Sequence, residues 1–468
     1  MIREREPYDC VVVGGGPGGY HAAIRASQLG LRAAVVEREQ LGGICLNWGC
    51  IPTKALLRAS ELRHQIERAS EFGIEVGEIR IDFAKMVERS RKVARRLEAG
   101  VRHLLAKNGV EVIEGHARLE GPGVLRVEGE GGARVLHSSH IVLATGARAR
   151  ALPGAEPDGE RLWTYREAML PGALPRSLLV VGSGAIGIEF ASFYRDLGAE
   201  VTVLEMLPRI LPAEDAEISA LARKAFERQG IAIHTGATLS SVTRTGTGVA
   251  AEVKLADGEL ARFAAERMIL AVGITGNVED LGLDTTAARV ERGHVVVDAW
   301  CRSDEPGIHA IGDLAGPPYL AHKASHEGIL CAERIAGHGG ARPLDATRIP
   351  GCTYSRPQIA SVGYSEQAAR EAGHALRVGR CPLQANGKAI ALGDAQGLVK
   401  TIFDASTGEL LGAHLLGPEV TEMIQGFAIA RTLEATEAEL METVFPHPTL
   451  SEAMHESVLA AFGRAIHI

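Results

Sequence analysis

Cys10-Val-Val-Val-Gly14-Gly-Gly16-Pro-Gly-Gly19-Tyr20 is the stretch that decides the fold. Three valines make a short apolar strand, and Gly14, Gly16 and Gly19 follow as G-x-G-x-x-G. Tyr20 to Leu29 has helix-forming composition and stops at Gly30. Ala33 to Val36 reads as the next strand, ending on Glu37. Glycines at this spacing let backbone N–H groups approach a pyrophosphate at a helix N-terminus. Glu37 falls 18 residues after Gly19, where a carboxylate accepts from ribose hydroxyls.

The same unit returns as Leu178-Leu-Val-Val-Gly182-Ser-Gly184-Ala-Ile-Gly187, then a helix, Gly198, a strand Glu200–Leu204 and Glu205. Gly14, Gly16, Gly19, Leu29, Gly30 and Glu37 each map to an identical residue 168 positions later. One such loop also fits helix–strand packing without a ligand; two, each with its terminal glutamate, point to two nucleotide sites. Closing strands follow at Ile141-Val-Leu-Ala-Thr145-Gly146 and Met268-Ile-Leu-Ala-Val-Gly273. Ala144 and Ala271 are offset by 127 residues, so the first copy is longer by about 41. Val110 to His140 alternates between Gly-rich turns and reads as a small antiparallel meander. Ile66 to Lys107 reads as helical, with a charged, solvated face.

Much of the extra length of the first copy is Leu41-Gly-Gly-Ile-Cys45-Leu-Asn-Trp-Gly-Cys50-Ile-Pro-Thr-Lys54 and the helical stretch after it. In a regular helix the Cα atoms of Cys45 and Cys50 would stand roughly 8.6 Å apart. A disulfide needs less than about 7 Å. If the pair bridges, the segment is locally distorted, and Asn47, Gly49 and Pro52 permit that. A strained, reversible bond suits redox exchange.

Further on, His294-Val-Val-Val297 and Ile308-His-Ala-Ile-Gly312-Asp313 read as strands before a helix, Ala321 to Ile335. Asp313 either binds a cofactor hydroxyl or caps a turn. From Ala346 the pattern changes to strands (Gln358–Val362, Leu398–Phe403, Glu409–Leu416) and helices (Ser365–Ala372, Val420–Thr432), a separate α+β domain. The segment Phe445-Pro-His447-Pro-Thr-Leu-Ser-Glu452 places a histidine between two prolines, with a carboxylate five residues on. Alone, such a histidine is more often structural; in a chain with a thiol pair, it is a candidate general base.

The 468 residues exceed one ordinary core, so two to four domains are expected. A net charge of −8 argues against general nucleic-acid binding. No apolar run approaches the ~20 residues that span a bilayer. The charged start, Met1-Ile-Arg-Glu-Arg-Glu, lacks a signal region, so a cytoplasmic location is expected. Cys10, Cys301, Cys331, Cys352 and Cys381 are scattered singly, and most of them read as small buried residues, without metal-ligand spacing.

Together these segments resemble the pyridine nucleotide–disulfide oxidoreductases, in order and spacing, from about residue 7 to 465. His322-Lys-Ala-Ser and Pro357-Gln-Ile-Ala-Ser-Val-Gly363 add to the resemblance. It implies an α/β fold with two Rossmann-like dinucleotide-binding domains, for FAD (1–147) and NAD (148–275). A central domain (276–345) would complete the FAD site, and a C-terminal α+β domain (346–468) would form the dimer. By position, Cys45 is the implied interchange thiol, and Cys50 lies against the flavin. Lys54 is implied to pair with Glu189 near the flavin ring. For FAD, Glu37 would hold the adenosine ribose and Asp313 the ribityl chain. Gly115 and Ala117 would line the adenine, Thr145 and Gly146 would border the cofactor, and Ala321 would sit near the isoalloxazine. For NAD, Gly182, Gly184 and Gly187 would cradle the pyrophosphate, Glu205 would take the ribose, and Leu270 to Gly273 would border the site. His447 with Glu452 is the implied acid–base, reaching a second subunit's thiols, which makes an obligate homodimer.

The implied activity is oxidation of protein-bound dihydrolipoyl groups with reduction of NAD. The implied partner is a dihydrolipoyl-bearing protein of a 2-oxoacid dehydrogenase complex or glycine cleavage system, with no nucleic acid and no membrane. Two positions depart from the family pattern: Phe445, where many members carry a second histidine, and Trp48, where a smaller residue is common. Rival readings are another NAD(P)H-dependent disulfide or metal-ion reductase on the same fold, a non-catalytic flavoprotein, or a flavoprotein of a specialised lipoate pathway. Glu205 speaks against NADP because a carboxylate repels a 2′-phosphate; Arg209 lies past the usual position for binding one. The last residues, Gly-Arg-Ala-Ile-His-Ile, lack the cysteine pair a mercuric reductase usually adds.

Overall fold

The computed structural model describes residues 7–468; the charged stretch 1–6 lies outside the described residues. The chain forms two compact units. The first gathers residues up to Ala55, Lys85–Arg150 and Ile274–Leu344; the second gathers Leu56–Ala84, Ala151–Gly273 and Asp345–Ile468.

At the centre of the first unit is a parallel sheet. The strand Tyr8–Val13 lies between Ala33–Glu37 and Gly132–Leu143; Glu111–Glu114 extends one side and Ile308–Ala310 the other. Val11, Val12 and Val13 are all buried, as a parallel strand covered on both faces requires. Each such side chain contributes roughly 1.5–3 kcal/mol. The helix Pro17–Gln28 follows the glycine loop, and Ala321–Ile335 packs on it through small residues. A Cβ on Gly328 would stand 2.4 Å from the Gly18 carbonyl oxygen.

The second unit repeats this order with Ala232–Thr235, Glu200–Glu205, Ser177–Val181, Arg267–Leu270 and Leu162–Trp163, all parallel. It adds a five-stranded antiparallel sheet, ordered Gly351–Thr353, Gln358–Gly363, Leu410–Gly417, Leu398–Asp404 and Leu376–Pro382. The helices Val420–Thr432 and Glu452–Ala461 pack against that sheet.

Several local expectations need correction. The helical reading of 66–107 breaks: helix Cys50–Glu67 and a short 3-10 turn end at Gly73, and the next helix is Phe83–Lys107. Gly73 takes the left-handed conformation (φ 76°), and β-branched residues alternate after it, so propensity favours extension over helix there. The meander consists of His116–Gly121, Val124–Gly129 and Gly132–Leu143; Glu111–Glu114 belongs to the parallel sheet instead. The second copy carries its own three-stranded meander, Thr238–Arg244, Val249–Lys254 and Leu260–Ala265, which the sequence reading did not assign. The closing strands stop at Leu143 and Leu270, before their glycines. The strand expected over 294–297 is only His294–Val295, and Gly312–Ala315 is a 3-10 turn. Cys10, Cys301 and Cys331, far apart in sequence, are buried in one core cluster. Among the described residues no helix is long and apolar enough to cross a membrane.

Candidate active site

The thiol segment is two helices, Gly43–Trp48 and Cys50–Glu67, interrupted at Gly49 (φ −150°, ψ −113°). That break is the distortion the spacing calls for, and it brings the two sulfurs into hydrogen-bond contact. Both are thiols in the structure. Cys45 is pushed far above the ordinary thiol range, first by its hydrogen bond to Cys50, then by burial and the Cys50 charge. Lys54 opposes the shift and Asp313 adds to it, so both lie close by. Cys50, the first residue of an 18-residue helix, sits where the positive end of the helix favours negative charge on sulfur.

Asn47 does more than permit the bend. Its buried amide donates to the carbonyls of Leu41 (2.9 Å) and Gly43 (3.0 Å), tying the short helix to its own start. Trp48 is covered by the Arg91 guanidinium, 4.5 Å from the ring centroid, and Arg91 also donates to the Asn47 carbonyl (2.5 Å). Ser90 donates to the Pro52 carbonyl at 3.3 Å.

Both glycine loops have the same geometry. Gly14 (φ 107°) and Gly182 (φ 99°) need the left-handed region, and a Cβ on either would lie 2.3 Å from the carbonyl oxygen of the alanine just past a closing strand, Ala144 or Ala271. Gly19 and Gly187 are equally closed, each against its own loop. The middle glycines differ. A Cβ on Gly16 would meet only the Gly43 Cα, at 3.8 Å, and one on Gly184 would meet nothing within 4 Å. These open positions are where a pyrophosphate can approach the backbone. The terminal glutamates also match. Glu37 accepts from the amides of Gly15 (2.7 Å) and Glu39 (2.8 Å). Glu205 accepts from the amide and hydroxyl of Ser183 (2.9 and 2.6 Å) and from the Leu207 amide (2.8 Å). Each carboxylate is thus fixed beside its loop, with lone pairs left for a ribose.

Asp313 is not simply a turn cap. Its carboxylate is pushed up to about 6 by burial, against the opposing pull of Lys323. Lys323 is itself buried, donating to the carbonyls of Gly312 (3.1 Å) and Gly316 (2.7 Å) and pairing with Glu327 (3.1 Å). Glu327 closes the loop by accepting from the Gly312 amide (2.7 Å). Ala321 opens the same helix. Thr145 and Gly146 are held by Asn277: Thr145 Oγ1 donates to its carbonyl (2.9 Å), and its amide groups donate back to both residues. The Gly115 amide bonds the Glu37 carbonyl (2.9 Å), and the Ala117 side chain lies in the core, leaving its backbone as the only available contact.

In the second unit, Glu189 is buried and accepts from the Tyr354 amide (3.0 Å). Gly273 follows the closing strand with φ 102°. His447 Nδ1 is 2.9 Å from Glu452 Oε1, and Glu452 Oε2 accepts from the Thr449 amide (2.8 Å). The Thr449 amide and the His447 contact hold Glu452 below the usual carboxylate range. Asn386 braces the turn by donating to the Thr449 carbonyl (3.0 Å). The His447 side chain is 79% exposed, with its Nε2 edge turned away from its carboxylate partner.

The structure therefore collects Cys45, Cys50, Lys54 and Asp313 around one point of the first unit, and fixes His447 and Glu452 as a pair in the second. Sequence reasoning missed Asn277, Asn386, Arg91, Lys323 and Glu327. Only the last two carry a local signal, the i,i+4 spacing of opposite charges.

Residues 8–328 match the pyridine nucleotide-disulphide oxidoreductase family, and residues 349–458 match its dimerisation domain. A dihydrolipoyl dehydrogenase of Rhizobium etli is 53% identical over 99% of this chain and 99% of its own. One of Zymomonas mobilis is 55% identical over 98% of this chain and 99% of its own. The crystal structure of LpdA from Mycobacterium tuberculosis aligns with a TM-score of 0.89 at 30% identity, covering 96% of this chain and 98% of that one. The two matched glycine loops, the thiol pair and these relatives agree: the chain belongs to the pyridine nucleotide-disulphide oxidoreductases.

Proposed function

We propose that this protein is a dihydrolipoyl dehydrogenase, oxidising dihydrolipoyl groups on a partner protein with FAD and NAD as cofactors. The observation that carries this reading is the hydrogen-bonded Cys45–Cys50 pair. It sits in a chain about half identical, end to end, to proteins of that name. FAD belongs with Gly14, Gly16, Gly19, Glu37 and Asp313, and NAD with Gly182, Gly184, Gly187 and Glu205. The open middle glycines and anchored glutamates support this. Lys54, beside the thiol pair, would flank the flavin ring.

In the oxidised enzyme, a substrate thiolate attacks Cys45 Sγ, and the Cys45–Cys50 bond breaks with Cys50 leaving as thiolate. His447 takes the proton of the second substrate thiol. That thiolate attacks the substrate sulfur of the mixed disulfide, which closes the lipoyl ring and releases Cys45 as a thiolate, to which the His447 imidazolium returns the proton. One electron pair now rests on the cysteines. The flavin, when bound, supplies two-electron carrier chemistry between the thiol pair and the pyridine nucleotide. Glu452 fixes the imidazole tautomer. An exposed base needs a covering surface, and a second subunit supplies one in the obligate dimer. The dimerisation domain leaves Leu433 (74%) and Val444 (92%) exposed in the single chain, in keeping with such a surface.

Anaerobic titration of the FAD-loaded protein with dihydrolipoamide tests the activity. A long-wavelength absorption band grows in, and added NAD is then reduced. A spectrum indifferent to dihydrolipoamide but responsive to another dithiol would overturn the substrate class.

Asp313 offers a second test with opposed signs. Its carboxyl titrates near 6 in the folded chain against an ordinary value of 3.8. Its contribution to stability is fully present below pH 3.8 and is lost as pH rises through about 6. Asp313→Asn removes the buried charge. The FAD-free variant is expected to be more stable than the parent at pH 7.5, by up to about 3 kcal/mol, with no gain near pH 4. Its FAD affinity is expected to fall roughly tenfold or more, through loss of a charge-assisted hydrogen bond. Urea melts and flavin-fluorescence titrations read the two effects, and a variant that keeps its FAD affinity would remove Asp313 from the cofactor site.

A further inference from the structure

The helix Glu452–Ala461 carries two histidine–carboxylate pairs on one face. The first is His447 with Glu452. The second is His467 with Glu456, where His467 Nδ1 stands 2.7 Å from Glu456 Oε1. Glu452 and Glu456 are four residues apart in the helix, so their Cβ atoms lie about 5–6 Å from one another.

The chain turns back to bring the second histidine there. The helix ends at Gly463, left-handed at φ 69°. The Gly463 amide bonds the Ala460 carbonyl (3.2 Å), and the Arg464 amide bonds the Leu459 carbonyl (2.9 Å). After this turn, Glu456 Oε2 accepts from the amides of Ile466 (3.2 Å) and His467 (3.3 Å). The carboxylate is thus nearly covered while the His467 ring stays 67% exposed. In both pairs Nδ1 faces the carboxylate, and Nε2 has no partner among the described residues. The two pairs also feel each other. Glu452 is held below the ordinary carboxylate value first by the Thr449 amide, then by His447, and also by the His467 charge.

The other groups nearby are otherwise engaged. The Cys381 thiol is pushed up to about 12 by burial and then by Glu456. Arg464 donates to the Met441 sulfur (3.7 Å), and the His455 ring bonds the Met441 carbonyl (3.0 Å). The stoichiometry of the reaction asks for such a second pair. A dihydrolipoyl group gives up two electrons and two protons; NADH carries away both electrons and one proton as hydride. The other proton must pass from the thiol site to solvent in every turnover, and a second subunit covers His447.

We propose that His467, oriented by Glu456, carries this proton between the His447–Glu452 pair and solvent. The proposal rests on the dihydrolipoyl dehydrogenase reading and adds a proton route to it. His447 gives up its proton through water to His467, whose imidazole exchanges it with bulk solvent near neutrality. No electron moves in this step.

The test is turnover of the FAD-loaded dimer with dihydrolipoamide and NAD in dilute buffer. His467→Asn is expected to lower turnover at least about threefold, and added imidazole is expected to restore it. Glu456→Gln keeps an acceptor for the two amides and is expected to show the same restored loss. Reduction of ferricyanide by NADH, which needs no thiol, is expected to stay at the parent rate in both. Parent-like turnover of His467→Asn in dilute buffer overturns the proposal and leaves the enzyme reading intact. So does a loss that imidazole does not restore in either variant, which would make His467 only an anchor for its segment. A parent that does not turn over dihydrolipoamide at all overturns both.

Discussion

Cys45→Ser is expected to abolish NAD reduction by dihydrolipoamide, by a factor on the order of 10³–10⁶, the scale seen when an essential nucleophile is removed. The reason lies in which sulfur leaves. Cys50 lies at a helix start that favours a thiolate, so it is the better leaving group of the Cys45–Cys50 bond and an attacking thiolate adds to Cys45. Exchange with an outside dithiol therefore runs through Cys45, and a serine hydroxyl cannot form the mixed disulfide. The substitution is small, and the Asn47 and Arg91 contacts that hold the segment do not involve the sulfur. FAD content and the melting temperature should stay near those of the parent. NADH should still reduce the bound flavin, because that half of the reaction does not need Cys45. Stopped-flow absorbance with each reductant separates the two halves. If dihydrolipoamide still reduced the flavin at the parent rate, the exchange role would be lost to another residue.

His447→Gln is expected to lower turnover with dihydrolipoamide by roughly 10²–10⁴-fold, the usual contribution of a general base. Glutamine keeps the size and a donor toward Glu452, so the turn braced by Thr449 and Asn386 should survive. Glu452→Gln should cost less than His447→Gln, because Glu452 acts only by orienting the imidazole, though it also loses its hold on the Thr449 amide. The discriminating readout is the pH profile. In the parent, a general base makes the rate with dihydrolipoamide fall on the acid side, where the base is protonated, and in His447→Gln that acid limb should vanish. A uniformly lower rate with an unchanged profile would make His447 a structural residue of the Pro turn, the reading its local sequence favours by itself.

The nucleotide loops were legible because their constraints are local. Gly14 and Gly182 need a backbone conformation closed to other residues, and Gly19 and Gly187 have no space for a Cβ, so the residue types declare the geometry. Glu37 and Glu205 were legible for a related reason: each ends a strand of set length beside its own loop. The thiol segment also spoke for itself, because five-residue spacing fits a bridge only if the helix breaks, and Gly49 is where it breaks. Helix limits were less legible. The run from 66 to 107 is rich in charge throughout, and propensity is a weak prior against one left-handed glycine.

What the sequence by itself determined, then, was the repeated strand–loop–helix unit, the thiol spacing and the His–Glu turn, all set by steric rules over a few residues. Only the tertiary structure decided which distant groups meet. Asn277 holds Thr145 from 132 positions away. Lys400, nearly inaccessible, is surrounded by Asp215, Glu217 and Glu366. Arg63 and Arg356 converge on Asp196 from chain segments up to 160 residues away. A charge or an amide has no periodicity that names its partner. Its pairing follows from burial, where an unmatched group costs several kcal/mol, and burial exists only once the sheets have packed.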